Sequence, residues 1–164
     1  MPITKPHEGP PMHRPNSFKP AVFPTRVTRA GLLEALRRPP VASQFSAPAM
    51  TLVLSIRLMA SCVKEQRDPL ADLACRLGSI AAAKAVLDFA QGCARAWPET
   101  AAVNRPCCHA LTPDEAVFAQ MVEAAAAADR AAFAALLDGF VRCERHERLY
   151  LLSQEALAAL AAAP

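Results

Sequence analysis

The stretch MTLVLSIRLMASCVKEQ, residues 50–66, decides the fold. Leu52, Leu54, Ile56 and Leu58 alternate as in a β-strand, while Leu52, Ile56, Met59 and Val63 recur at the three- and four-residue spacing of one helical face. A strand needs a partner, and no second strand-like run occurs in the chain. The stretch is therefore read as a helix.

Downstream, the helical pattern continues with clear punctuation. Asp68-Pro69 offers a capping side chain followed by proline at the first helical position, where its missing N–H costs nothing. Leu70, Leu73, Leu77 and Ile80 extend an apolar stripe, with Gly78-Ser79 marking a bend or break, and the pattern runs on to Trp97-Pro98. Residues 98–111 (PETAAVNRPCCHAL) lack periodicity and read as a loop. Thr112-Pro113-Asp114-Glu115 then combines a cap, a first-turn proline, two acids at the helix N-terminus and a capping-box glutamate. The helix it opens runs to about residue 128, with Val117, Met121, Ala124 and Ala125 inward. Asp129 caps a short helix over 130–138 that buries Phe133, Leu136 and Leu137 and stops at Gly139. A last helix, from near residue 142 to about 162, places Leu149, Leu152, Ala156 and Leu160 on one face. The expected fold is all-α, a small bundle of about five helices with short connections.

Composition agrees with that reading. The chain has 164 residues, 53% of them hydrophobic, only 5% aromatic and 36 of them alanine. So much apolar residue excludes wholesale disorder, and the alanine content with few aromatics argues against a β-sandwich. No run of about 18 apolar residues lacks a charge, so no membrane span is expected. Alanine-rich helices bury little apolar area each, which points to moderate stability or completion of the core by self-association.

Upstream of Met50 the material changes. Residues 1–49 hold 10 of the 15 prolines and carry seven basic against two acidic side chains, a net +5, whereas residues 50–164 carry −2. Frequent proline removes amide donors and blocks helix and ladder alike. Residues 1–49 are therefore read as a disordered, basic, proline-rich extension, with a short helical turn over 30–37 (Leu32, Leu33 and Leu36 on one side) between Thr28 and Pro39-Pro40. A translation start at Met50 is the alternative. The extension has no apolar core of a secretory signal. Its charge, with Phe18, Phe23 and Phe45, would suit nucleic acid or an anionic surface, whereas the acidic remainder is not expected to bind nucleic acid.

Few residues offer chemistry. Cys62, Cys75 and Cys93 fall in apolar helical runs and read as small buried hydrophobes. Without a secretory signal the six cysteines are expected as reduced thiols in a cytoplasmic protein. Cys107, Cys108 and His109 stand together in the 98–111 loop after Arg105-Pro106, and Cys143 and His146 are three apart at the start of the last helix. Cys107, His109, Cys143 and His146 could supply a Cys2His2 zinc set, although each pair mixes thiol and imidazole where structural fingers pair like with like. Cys107 and Cys108, beside Arg105, are the reactive-thiol candidates; Cys143–His146 or Cys108–His109 would be nucleophile and base. No nucleophile elbow, C-x-x-C, G-x-G-x-x-G, Walker A or H-E-x-x-H motif is present. No catalytic residue is assigned, and no cofactor is expected unless zinc. Glu144 and Arg148 are spaced for an i,i+4 pair on a solvated face. Trp97 and Tyr150 are candidate interface anchors, with core packing as the alternative.

NRPCCHALTPDEAVFAQM (104–121), DRAAFAALLDGFV (129–141) and RHERLY (145–150) resemble a small alphaproteobacterial family of unknown function. The resemblance spans roughly 95 residues from about Asp68 and leaves 1–49 outside. It implies a bacterial cytoplasmic protein and transfers no activity or site residue. The function expected from all this is contact with an unknown protein partner or with further copies of the chain, without catalysis.

Overall fold

A computed structural model describes residues 39–163. The helical reading of 30–37 and most of the proline-rich extension, with its nucleic-acid reading, lie outside the described residues. The described chain is all-α: α1 (Ala47–Lys64), α2 (Pro69–Leu77), α3 (Ile80–Ala96), α4 (Pro113–Ala126), α5 (Arg130–Leu137) and α6 (His146–Ala161), with single 3-10 turns at Ala42–Gln44 and Cys143–Arg145. Among the described residues the only extended pairing is an isolated antiparallel bridge, Val41 to Ala110.

Local chemistry accounts for the boundaries. Ser46, Asp68, Ser79, Thr112 and Asp129 each accept a backbone N–H of the helix they precede, which satisfies a donor that the helix itself cannot. Gly78 takes φ 68° and ends α2, so the bend at 78–79 is a full break and the α-helices among the described residues number six, one more than the periodicity suggested. The ends of α1 and α4 share one device. Arg67 N–H reaches back to Cys62 O (2.8 Å) and Gln66 N–H to Val63 O (3.1 Å); Asp129 N–H reaches Ala124 O (2.9 Å) and Ala128 N–H reaches Ala125 O (3.1 Å). These are Schellman caps. Their left-handed residues are Gln66 (φ 57°) and Ala128 (φ 54°), where glycine would sit without strain.

The core is continuous. α1 lies against α2, α3 and α4, α3 against α6, and α4 against α5 and α6. Leu52, Val53, Ile56 and Met59 of α1 share one cluster with Val86, Phe89, Phe118, Met121 and Val122, and Cys62 is buried one turn further on. The buried stripe of α1 thus ends at Cys62, and Val63, expected inward, is 68% exposed. Ile80 is likewise 67% exposed, because the Gly78 break turns the first turn of α3 away from the α2 stripe. α1 has the length and mean hydropathy of a membrane-crossing helix, but its apolar face is spent on the bundle.

The folded unit begins before Met50. Ala49 is fully buried and Phe45 packs on the core. Leu111 N–H donates to Pro40 O (2.8 Å), Ala42 N–H to His109 O (3.1 Å), and Ser46 N–H to Glu123 Oε1 (2.7 Å). Residues 40–49, read from sequence as part of the extension, therefore pair with the 109–111 backbone, reach α4 at Glu123 and cap α1. The proline at position 48 misled that reading: it occupies the first turn of α1, where proline is tolerated.

Candidate functional site

The 101–112 loop is organised around a buried ion pair. Arg57 and Glu115 are 1% and 0% exposed, in the middle of α1 and the first turn of α4. Nε of Arg57 donates to Glu115 Oε1 (2.7 Å) and Nη2 to Oε2 (2.8 Å), a bidentate fork. The remaining guanidinium donors go to the loop: Nη2 to Ala110 O (2.9 Å), Nη1 to Cys108 O (2.5 Å) and Arg105 O (3.4 Å). Glu115 accepts in addition from Asn104 N–H (2.9 Å) and Thr112 N–H (2.9 Å), while Thr112 Oγ1 accepts the Glu115 N–H (3.1 Å) and closes the capping box. Among the described residues no buried side-chain polar atom lacks a partner. A buried pair repays its desolvation only when satisfied in this way.

Electrostatics follow the geometry. Burial by itself would push the Glu115 carboxyl up, but hydrogen bonds from Arg57, Thr112 and Asn104 hold it below the ordinary glutamate value. The hydrogen bond to Glu115 outweighs burial at Arg57 and raises the guanidinium further. Asp114 serves the same loop, accepting Trp97 Nε1–H (3.1 Å) and Ala102 N–H (2.7 Å), and Thr112 Oγ1 donates to Ala102 O (2.6 Å). Segment 101–112 is thus irregular backbone whose polar groups are paired by three helix side chains, Arg57, Asp114 and Glu115, and by the Thr112 cap. Asp114 and Glu115 both serve the fold here, as hydrogen-bond acceptors for the loop.

The loop tip points the other way. Arg105, Pro106, Cys107, Cys108 and His109 are exposed, and their carbonyls at 105 and 108 are turned inward to Arg57. Cys143 is exposed on the 3-10 turn before α6. His146 is buried, its Nε2 3.0 Å from Val141 O. The turn removes Cys143 from the helix that carries His146, so the two do not share a helical face. Among the described residues no group of three or more His, Cys, Asp or Glu side chains is placed to hold a metal ion. Cys107, His109, Cys143 and His146 are therefore not brought together as a zinc set, and no hydrogen bond joins Cys143 to His146 or Cys108 to His109.

Other sequence expectations resolve individually. All six cysteines are free. Cys62 and Cys93 are buried as expected, and burial raises both thiols; Cys75 is exposed on the outer side of α2. Trp97 and Tyr150 are core residues rather than surface anchors. Trp97 stacks at a tilt on Phe118 (4.6 Å between centroids) and edge-on against Phe140 (5.3 Å). Tyr150 is 3% exposed, meets Phe133 edge-on (5.2 Å) and carries the Arg130 guanidinium over its ring (4.5 Å). Glu144 lies in the 3-10 turn, so the i,i+4 geometry with Arg148 is lost; Glu147 pairs instead with Arg130 (2.5 Å).

Arg57 escaped the sequence reading, although a signal existed. It is the one charge inside a run of apolar residues on a helix whose neighbours Ile56 and Val53 are buried. A charge in that position demands a partner. No family model, curated protein or solved structure matches this chain.

Proposed function

We propose that this chain is a non-catalytic helical module of the cytoplasm that works by contact with a second copy of itself. One observation carries the reading: an apolar groove of about 660 Å3 left open where four helices end. Ala47, Pro48 and Thr51 of α1, Leu77 of α2, and Leu157, Leu160 and Ala161 of α6 line it, and Arg76 is its one charged side chain. Alanine-lined helix ends let another backbone approach closely, and an isologous pair would cover the same face on both copies. Small side chains also leave each helix short of buried area, so a second copy adds the apolar burial that the bundle alone lacks. The six free thiols suit a reducing compartment.

Sedimentation equilibrium on the full chain tests the reading. A reversible dimer is expected, weakened by Ala158→Glu or Ala161→Glu, both exposed positions on the groove. A chain that stays monomeric at every accessible concentration contradicts it.

A further inference from the structure

Three arginines line one cleft at the end of the α3–α6 seam. Arg95 lies in the last turn of α3, Arg145 is the N-cap residue of α6, and Arg148 lies in the first turn of α6. With Gly92, Ala96 and Leu149 they enclose about 220 Å3, and no acidic side chain is among the walls. Arg145 Nη1 donates to Arg95 O, which ties the two sides of the cleft together. Among the described residues, Arg57, Arg67 and Arg130 each form an ion pair, and Arg95, Arg145 and Arg148 form none. The surrounding acids do not neutralise them. Asp88 and Glu155 line an adjoining cleft with Arg95 and Arg148 without pairing to either. Glu147 is paired with Arg130, and Glu144 is exposed on the 3-10 turn.

Position sharpens the contrast. A cation in the last turn of α3 suits the helix dipole, but Arg145 and Arg148 stand at the positive end of α6, where the dipole and each other's charge oppose them. The other described α-helices open on a Ser, Asp or Thr that accepts a first-turn N–H, whereas α6 opens on Arg145 with no side-chain acceptor. Positive charge from three side chains and one helix end is thus gathered on one small concave surface, in a unit that carries −2 over residues 50–164. We infer that this cleft binds a phosphoryl group, as inorganic phosphate or a small phosphate monoester. Guanidinium forks match phosphate oxygens two at a time, and three forks are more than the two oxygens of one carboxylate can use. The cleft is smaller than the roughly 300–1,000 Å3 of sites that enclose a whole drug-sized ligand, so it takes the phosphoryl head and leaves the remainder in solvent. Buried Leu149 anchors the first turn of α6 beside it. Leu157, Leu160 and Ala161, which line the groove proposed for self-association, lie at the other end of α6, so the anion site stands whether or not the chain dimerises.

Titration of the full chain with inorganic phosphate, and separately with glycerol phosphate, tests the site. Arginine Nε–H and backbone amide NMR signals are followed at constant ionic strength, with chloride as the reference anion. Saturable shifts are expected for both phosphates at Arg95, Arg145 and Arg148 and at the Ala96 and Leu149 amides. Arg95→Gln and Arg148→Gln should each weaken binding about tenfold, and Arg148→Lys nearly as much, because an ammonium keeps the charge and loses the fork. Arg142→Gln, an exposed arginine beside the same 3-10 turn but outside the cleft, should leave the affinity unchanged. The substituted side chains are exposed, so every variant should keep the far-ultraviolet dichroism of the wild type. Shifts that never saturate, or that chloride reproduces, overturn the proposal. Wild-type affinity in the Arg95→Gln/Arg148→Gln double variant does the same. Shifts confined to the arginines of residues 1–38 also overturn it and assign the anion to the basic extension.

Discussion

The two ends of α4 are held by different physics. At its first turn, Glu115, Asp114 and Thr112 pair with Arg57, Trp97 and the 101–111 backbone, and order comes from hydrogen bonds to a desolvated ion pair. At its last turns, Met121, Val122, Ala124 and Ala125 are buried against apolar neighbours, and order comes from close packing. The α3–α6 seam extends the second regime: a Cβ on Gly92 would stand 2.6 Å from Leu152 Cδ1, so α6 approaches α3 through a missing side chain. A connection of 16 residues, 97–112, without periodicity cannot bury a core of its own, and pairing its backbone is the route left to it. Helices already pair their backbones, so the helical end needs only small side chains to pack.

The contrast can be broken at either end. Arg57→Met should cost the most, about 3–5 kcal/mol, because it leaves Glu115 buried and uncompensated and strips donors from three carbonyls. Urea denaturation reads the loss, and amide exchange at Asn104 and Thr112 should accelerate well beyond that of α6. Leu149→Ala, on the seam, should cost about 2–5 kcal/mol by opening a cavity. Its effect on exchange should be centred on α3 and α6, leaving the 101–112 amides protected. The two residues share no hydrogen-bond partner, so their costs should add in the double variant; marked non-additivity would show that the regimes are coupled. Ala128→Gly is the smallest change and the one with opposite sign. It relieves a left-handed alanine at the Schellman cap of α4 and should stabilise by up to about 1 kcal/mol in the same assay.

The apolar regime was the more legible of the two from sequence. Thr112-Pro113-Asp114-Glu115, Asp68-Pro69 and Asp129 announced their helices because capping is local chemistry. The spacing of Leu52, Ile56 and Met59 or of Leu149 and Ala156 gave the buried faces for the same reason. Val63 and Ile80 broke the pattern at helix ends, where a stripe can run on in sequence after the partner helix has turned away. The polar regime was half legible. Glu115 was recognisable as a capping-box residue, but its pairing with Arg57 spans 58 positions, and no local pattern selects one carboxylate from the 15 acidic residues of the chain. Cys143 and His146 showed the opposite failure: their spacing suggested a shared face, and a 3-10 turn placed them in different environments.

The sharpest consequence of the polar regime concerns one proton. Burial raises the Glu115 carboxyl, and the hydrogen bonds from Arg57, Thr112 and Asn104 lower it and prevail. A glutamate whose folded value lies below its unfolded value of about 4.3 adds stability that is complete above that value. The contribution is lost as pH falls through the folded value. Direct titration of the Glu115 side-chain carboxyl by carbon-detected NMR, with the protein kept folded, decides the matter. A midpoint below the ordinary glutamate range is expected. A midpoint at or above that range would mean that burial prevails, and that Arg57 and Glu115 are not the satisfied pair that holds the loop.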